Sequence, residues 1–279
     1  MTIGIVTDSL SDLPADLLER YKIEVIPAYI VIGGQSYKDG LEISRTEFYN
    51  RLPSLRTPPT TAVPAMDEFL TRFTKMLDSG CTHVLGIFVT EKLTGIADVA
   101  RKAAQELMGK VSVLETGSLS MGSGFQVLAA ARALSAGTTL PECIAIINSV
   151  RKRVKVYAAL DTMEYMRRSG RIPRLASSLG GILRIKPVIE LHEGAIAPIA
   201  APRTTHHAEQ ELAELVKNLG PLEQLCILHT NAEARAQNFL DHYLNLIPQI
   251  PEDIRIINVT TIIGTHVGPN GLGIAAVCK

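Results

Sequence analysis

The amino-acid sequence predicts an α/β protein of two domains, an N-terminal three-layer domain built on a parallel sheet and a C-terminal domain built on a mixed sheet. Short apolar runs alternate with helical patterns through the first half of the 279 residues, which is typical of a parallel sheet with helices on both faces. Near Val156 the pattern changes, and two apolar runs flank His192-Glu193-Gly194, which indicates an antiparallel hairpin. We therefore predict domains over 1–155 and 156–279, with a ligand site at their interface.

The first domain is predicted from apolar runs and from the residues that begin and end helices. Ser11 is expected to cap the first helix, and Gly80 to end the helix that begins near Met66. Thr139 and Glu142 have the spacing of a capping box in front of the last helix. In chain order we expect a strand over 3–7, a helix after Ser11, a strand over 23–27, a hairpin over 29–37, a helix over 66–77, a strand over 84–89, a helix over 95–108, a strand over 111–114, a helix over 122–136 and a helix from Pro141 onward.

The second domain is predicted to mix hairpin strands with helices packed on the sheet. In chain order we expect a strand over 156–160, a basic helical segment over 161–183, hairpin strands over 187–191 and 195–200, a helix over 206–219, a strand over 225–229, a helix over 232–246 and strands over 255–260 and 273–278.

Composition excludes several classes of protein. Lys and Arg total 28, as do Asp and Glu, so the chain has no overall positive charge that would favour nucleic acid. The four cysteines form no Cys-x-x-Cys pair, which argues against a disulfide framework and a zinc site. The N-terminus lacks the pattern of a signal peptide, and no apolar run approaches the ~20 residues that span a bilayer. We expect a soluble cytoplasmic protein.

Positive charge is nevertheless concentrated between Arg151 and Lys186. This stretch holds ten basic residues against Asp161 and Glu164, a local excess of +8. Such a stretch is either a solvated face or a surface for an anion such as phosphate, for an acidic partner or for a membrane.

The segment over 264–271 (Gly-Thr-His-Val-Gly-Pro-Asn-Gly) is predicted to be a glycine-rich loop between two strands. Its glycines would allow the backbone to approach a ligand closely, and His266 would be its titratable group.

Four further loops are rich in hydroxyl groups and contain few candidate bases or metal ligands. They cover residues 8–11, 57–64, 90–95 and 116–120. Hydroxyls and backbone N–H groups at helix N-termini hold a carboxylate or phosphate without a buried cation. This pattern suits a ligand with an anionic head and an apolar body.

Three other site types have little support. A hydrolase triad of Asp8, Ser9 and His266 would lack the Gly-x-Ser-x-Gly elbow. No P-loop sequence for ATP is present, and the remaining histidines have no metal-ligand spacing.

At these residues the sequence resembles the DegV family of bacterial lipid-binding proteins. The matching blocks, which run from end to end, are 8–14 (Asp-Ser-Leu-Ser-Asp-Leu-Pro), 37–40 (Tyr-Lys-Asp-Gly) with 47–49 (Glu-Phe-Tyr), 160–166 (Leu-Asp-Thr-Met-Glu-Tyr-Met) with 170–172 (Gly-Arg-Ile) and 185–187 (Ile-Lys-Pro), and 264–269 (Gly-Thr-His-Val-Gly-Pro). Ala62 and Val63 stand where the family usually has Ser-Gln, which would make the site's mouth more apolar.

The resemblance implies one long-chain fatty acid buried between two α/β domains. Its carboxylate would be met by Thr61, Thr94, Thr265 and His266, with Gly95 and Ser120 in neighbouring loops of the site. No cofactor, metal or catalytic residue is implied, because the fatty acid is the ligand and the protein is a carrier without chemistry of its own.

The resemblance also implies a partner. In bacteria with a fatty acid kinase, members of the family present the acyl carboxylate to a separate ATP-binding subunit that makes acyl phosphate, which links them to phospholipid metabolism. Arg167, Arg168 and Arg171 would face that partner or the phosphate. Transient membrane contact is compatible with this role. The alternatives are a stand-alone lipid sensor or buffer and, less favoured, a phosphotransferase acting alone.

Overall fold

The structure, a computed structural model, describes residues 2–170, 185–248 and 250–279. Contacts divide the chain into two compact units. The first consists of Met1–Tyr29 and Ala62–Arg153, and the second of Ile30–Thr61 and Val154–Lys279. Val154 lies next to the predicted boundary, whereas the segment Ile30–Thr61, which the sequence assigned to the first domain, groups with the second unit.

The strands and helices are numbered here in chain order. The strands are β1 (Ile3–Asp8), β2 (Glu24–Ile26), β3 (Tyr29–Ile32), β4 (Gln35–Lys38), β5 (Thr60–Ala62), β6 (His83–Phe88), β7 (Val111–Glu115), β8 (Val154–Ala159), β9 (Val188–His192), β10 (Ala195–Ala200), β11 (Leu222–His229), β12 (Arg255–Asn258) and β13 (Leu272–Cys278). The α-helices are α1 (Ala15–Tyr21), α2 (Arg45–Arg51), α3 (Met66–Asp78), α4 (Ile96–Gln105), α5 (Met121–Ser135), α6 (Leu140–Arg153), α7 (Glu164–Arg168), α8 (Thr205–Asn218), α9 (Glu233–Phe239) and α10 (Thr261–Val267).

The first unit is built on a four-stranded parallel sheet in the order β2-β1-β6-β7. Every residue of β6 is buried, as expected for an inner strand covered on both faces. Helix α5 is almost wholly buried, which explains why it shows little amphipathic pattern. The predicted parallel sheet is therefore confirmed.

The second unit contains a six-stranded mixed sheet in the order β10-β9-β8-β13-β11-β12. Its β11–β12 pair is parallel and its other pairs are antiparallel. The predicted hairpin turns at Glu193 and Gly194, which have φ angles of 46° and 79°. The predicted mixed sheet is also confirmed. A smaller sheet has the order β4-β3-β5, and Gly33 and Gly34 form its predicted turn at positive φ.

The first helix does not begin where the sequence predicts. Ser11 was expected to cap it, but Ser9–Ser11 form a 3-10 turn that is itself capped by Asp8. Asp12 then adopts a left-handed conformation, and α1 begins at Ala15, after Pro14. The buried carboxylate of Asp8 accepts the Leu10 N–H and so tightens this turn.

The predicted glycine-rich loop is also wrong over its first half, because Thr261–Val267 form helix α10. Gly264 lies inside this helix, where a Cβ atom would come within 2.4 Å of Tyr49 Oη. This glycine therefore permits close packing of the protein against itself.

Two other helix predictions differ in extent. Within the predicted basic helical segment, the described residues form a helix only over Glu164–Arg168, and 171–184 lie outside the described residues. The helix predicted over 232–246 consists of α9 followed by a π-helical turn over Leu240–Leu244. Among the described residues, no helix has the length and apolar character needed to span a membrane.

The contact between Gly264 and Tyr49 predicts that Gly264→Ala will destabilise the protein. The added methyl group overlaps a fully buried ring that cannot move freely, and such overpacking costs about 1–3 kcal/mol. We expect a clearly lower Tm. Gly95→Ala is the matched control, since its Cβ would lie 3.9 Å from its nearest neighbour, Val63 Cγ2. Equal Tm values for the two variants would contradict the packing role.

Candidate functional site

Helix α10, which carries Thr265 and His266, is anchored at its N-terminus by the buried carboxylate of Asp39. The carboxylate accepts hydrogen bonds from Thr260 Oγ1 (2.6 Å), from Thr261 Oγ1 (2.7 Å) and from the Thr261 N–H (3.1 Å). A negative charge at a helix N-terminus also interacts favourably with the helix dipole. Asp39 therefore sets where the helix begins and fixes its position.

Tyr49 holds the same helix from the side. Its hydroxyl group donates to the backbone oxygens of Val259 (3.1 Å) and Thr260 (3.3 Å), and its ring lies against Gly264. Both Asp39 and Tyr49 belong to the segment Ile30–Thr61, so this segment positions the helix of the second unit that carries the predicted histidine.

A small pocket of the second unit is lined in part by the buried residue Thr265. One side is apolar and belongs to Ile30–Thr61, and the other side carries polar groups near α7. Its lining residues are Leu52, Leu55, Pro58, Pro59, Tyr165, Arg168, Ser169 and Thr265. The Thr265 hydroxyl donates its one proton to the Thr261 carbonyl (2.9 Å), so the O–H has to rotate away from that carbonyl before it donates to a ligand.

His266 occupies the last turn of α10 and is half-buried. The chain then turns at Gly268, where φ is 78° and a Cβ atom would come within 2.1 Å of the Tyr165 ring. This contact packs the end of α10 against α7, which explains why Thr265 and Arg168 line one pocket. Thr61, in β5, is half-buried and belongs to the same unit.

The basic residues of α7 are exposed but paired. Glu164 accepts from Arg167 (3.0 Å) and from Arg168 (2.7 Å), and these contacts lower the pKa of its carboxyl group. Lys186 pairs with Asp161 in the same way (2.5 Å). Part of the predicted positive charge is therefore neutralised locally. Arg171 lies outside the described residues.

The other predicted residues, Thr94, Gly95 and Ser120, lie in loops of the first unit that follow β6 and β7. Thr94 is half-buried, Gly95 is exposed at the start of α4, and Ser120 is buried at the start of α5. Backbone hydrogen bonds join these loops, from Thr90 N–H to the Ser118 oxygen (2.8 Å) and from Ser120 N–H to the Leu10 oxygen (2.8 Å).

Two buried carboxylates lie under these loops. Asp8 accepts the Leu10 N–H (2.9 Å) and the Val89 N–H (3.0 Å), and Asp12 accepts from Ser120 Oγ (2.6 Å). Complete burial raises the pKa of Asp8 to about 7, helped by the charge of Asp12 and opposed by the two N–H donors. These carboxylates therefore connect the carboxyl ends of neighbouring strands.

Four residues at these sites have roles that the sequence did not reveal. Asp8 entered only a rejected triad and a matching block, and Asp12, Asp39 and Tyr49 stood only as letters in matching blocks. Their presence in those blocks was the available signal. Among the described residues, no group of three or more His, Cys, Asp or Glu side chains is arranged to hold a metal ion.

The comparisons with known proteins cover the whole chain. The sequence model of the DegV family, described as a family of uncharacterised proteins, matches residues 2–279. A DegV domain-containing protein of Streptomyces coelicolor is 32% identical over 274 residues, which is 98% of this chain and 97% of the relative.

Solved structures agree with that match. A DegV family protein of Thermus thermophilus, described for its fatty acid binding, has a TM-score of 0.92 and 30% identity, with 100% of both chains covered. A protein of Thermotoga maritima described as revealing a fatty acid binding function has a TM-score of 0.88 and 25% identity, also with 100% of both chains covered.

The burial of Asp8 predicts a specific pH dependence of stability. Its folded-state pKa lies above the ordinary value of 3.8, so the folded protein binds this proton more tightly than the unfolded chain. Its contribution to the free energy of unfolding should therefore fall as the pH rises from about 4 to about 7, by about 1.4 kcal/mol per pH unit at most.

Thermal unfolding of the native protein and of Asp8→Asn across this pH range measures the effect. The difference between the two curves isolates Asp8, because His83 and His229, whose pKa values are lowered by burial, contribute with the opposite sign in both proteins. Parallel curves would show that Asp8 does not change its protonation over this range.

Proposed function

The chain belongs to the DegV family, and on this basis we propose that it binds a long-chain fatty acid and presents the carboxylate to a separate fatty acid kinase subunit. Its first part extends to this chain the fatty acid binding described for the Thermus thermophilus and Thermotoga maritima proteins, whose structures it matches along its whole length. The kinase partner is the further part that we propose. In it the protein is a carrier, and the phosphorylation chemistry belongs to the partner.

The observation that carries the proposal is the full-length match to solved DegV structures described for fatty acid binding. The small pocket lined by Thr265 is compatible with it. Its apolar wall of Leu and Pro side chains meets a hydroxyl group, with His266 in the same helical turn. This combination suits a ligand with a hydrocarbon body and one polar end. We assign the carboxylate contacts to Thr61, Thr94, Thr265 and His266, with Gly95 and Ser120 in neighbouring loops.

The energetics of such a ligand are dominated by its tail. Each buried methylene group contributes about 0.8 kcal/mol, so a long acyl chain supplies most of the affinity before the costs of association. Neutral donors to the head group are then sufficient to orient the carboxylate, and they avoid the desolvation cost of a buried ion pair.

The partner would dock beside α7, because Arg168 lines the Thr265 pocket and Arg167 is exposed next to it. Guanidinium groups bind phosphate and carboxylate oxygens in a bidentate way. A kinase that uses ATP would meet the carrier in the cytoplasm and supply acyl phosphate for phospholipid synthesis, with brief membrane contact to exchange fatty acid.

The first expected result is that the purified protein carries about one equivalent of fatty acid, measured by native mass spectrometry and by extraction after denaturation. The double variant Thr61→Val, His266→Ala should fold but bind fatty acid roughly ten- to a hundredfold more weakly, because it loses hydrogen bonds to a charged group. The matched control is Thr71→Val, His192→Ala, which changes the same residue types at exposed positions.

Unchanged affinity in the folded double variant would contradict the assignment of the carboxylate contacts. A protein that is purified empty and takes up neither oleate nor palmitate would contradict fatty acid binding itself.

The second expected result concerns the kinase. Arg167→Glu should keep the bound fatty acid but lose acyl phosphate formation with the kinase subunit and Mg-ATP, since an exposed donor to the partner, outside the Thr265 pocket, becomes an acid. Lys217→Glu is the control, because Lys217 is an exposed cation that also pairs with a neighbouring glutamate (3.3 Å).

Full acyl phosphate formation by Arg167→Glu would contradict the docking face. Fatty acid binding by the native protein without acyl phosphate formation would favour the lipid sensor or buffer. Acyl phosphate made by the protein alone would identify a phosphotransferase.

A further inference from the structure

The carboxylate of Glu115 joins two loops of the first unit that follow neighbouring strands. Glu115 is the last residue of β7, and its side chain is 12% exposed. Its Oε1 accepts the Glu91 N–H (3.2 Å), in the loop after β6, and the Gly117 N–H (2.8 Å), in the loop after β7. One oxygen atom therefore fixes the backbones of both loops.

Arg151, in the last turn of α6, holds this carboxylate in place. Its Nη2 pairs with Glu115 Oε2 (3.1 Å), and its Nη1 donates to the Glu115 backbone oxygen (2.8 Å). Gly117 has a φ of 62°, and a Cβ atom there would lie 2.8 Å from Arg151 Nη2. The first residue of the basic stretch is therefore engaged within the first unit, where it orients the acceptor of the two loops.

The loop after β6 is held at Glu91 from two sides. The Glu91 N–H bonds to Glu115, while its carboxylate pairs with Arg101 of α4 (2.8 Å). Arg101 also pairs with Asp98 of the same helix (2.7 Å). Glu91 therefore links the end of β7 to the first turns of α4.

Thr94 lies between Glu91 and that helix. The Leu93 N–H donates to the Thr90 oxygen (3.4 Å), which closes a turn before Thr94, and α4 begins directly after Gly95. A shift of Glu91 is transmitted to Thr94 through this short turn. Thr94 is half-buried and Gly95 is exposed, so this part of the loop is accessible from the surface.

We propose that Glu115 is a positioning residue for fatty acid binding, which places the Thr94 hydroxyl group by accepting the Glu91 and Gly117 N–H groups. This inference rests on the proposed fatty acid binding and on the assignment of Thr94 to the carboxylate. Without Glu115 the two N–H groups lose their acceptor, and the loop has to be ordered when the ligand binds, which lowers affinity.

The base of the loop has its own contacts, so removal of Glu115 should leave the fold intact. The Val89 N–H donates to Asp8 Oδ2 (3.0 Å), and the Thr90 N–H donates to the Ser118 oxygen (2.8 Å). The effect of a Glu115 variant is therefore expected in the outer part of the loop, where Thr94 lies.

The test is the affinity for decanoate at neutral pH, at concentrations where it stays monomeric, measured by calorimetry. We expect Glu115→Ala to raise the Kd roughly tenfold, because the acceptor of two N–H groups is lost. Glu115→Gln should bind within about twofold of the native protein, since its amide oxygen accepts both N–H groups without the charge. Amide hydrogen exchange at Glu91 and Gly117 should be faster in Glu115→Ala and native in Glu115→Gln.

A double-mutant cycle separates positioning of Thr94 from a general loss of stability. If Glu115 acts through Thr94, the double variant Thr94→Val, Glu115→Ala should bind no more weakly than Thr94→Val alone. Glu24→Ala is the control, because Glu24 is a glutamate of the same sheet that pairs with an arginine, Arg72, on another element. We expect native affinity in this control.

Independent, additive effects of the two substitutions would overturn the inference and leave fatty acid binding standing. Native affinity in the folded Glu115→Ala variant or in Thr94→Val would do the same, as would equal losses in Glu115→Gln and Glu115→Ala. If Glu115→Ala fails to fold, Glu115→Asp replaces it in the cycle, since it keeps the charge near Arg151 but withdraws the acceptor by one methylene group. A native protein that binds no decanoate would overturn both the inference and the proposed function.

Discussion

The carboxylate of Asp39 is the contact on which the candidate site of the second unit depends. It accepts three hydrogen bonds from Thr260 and Thr261, and so it defines both the start and the position of α10. The pocket at Thr265 and the placement of His266 follow from that helix. Without an acceptor at this point, the buried N–H and hydroxyl groups would lose their partners, at a cost of about 1–3 kcal/mol for each group.

The first unit also contains buried aspartates that accept hydrogen bonds, but one of them has a raised pKa. Asp8 and Asp12 also satisfy backbone and hydroxyl donors where strands end and helices begin. Asp39 accepts three hydrogen bonds, whereas Asp8 accepts two N–H groups in complete burial beside a second carboxylate. Burial with fewer compensating contacts favours the protonated form. One aspartate is therefore an anchor, and the other is a group that titrates near neutral pH.

The sequence predicts the buried strands better than it predicts segments whose structure depends on buried polar contacts. The short apolar run that forms β6 predicted a buried strand, because a strand covered on both faces consists of consecutive apolar residues. Helix α10 was missed because Thr261, Ile262 and Ile263 are β-branched and two glycines follow, a composition that favours strands and loops. Its helical form depends on Asp39, which lies 222 residues before Thr261 in the chain.

The sequence by itself determined the two kinds of sheet, the alternation of strands with helices, and the hydroxyl-rich loops after the strands of the first unit. Tertiary structure decided that Ile30–Thr61 groups with the second unit, that His266 stands on a helix, and that the Ser120 proton belongs to Asp12. Apolar periodicity reflects whether each residue faces the core, so it is local information. The partner of a buried polar group is chosen by contacts between distant parts of the chain, and no local pattern encodes that choice.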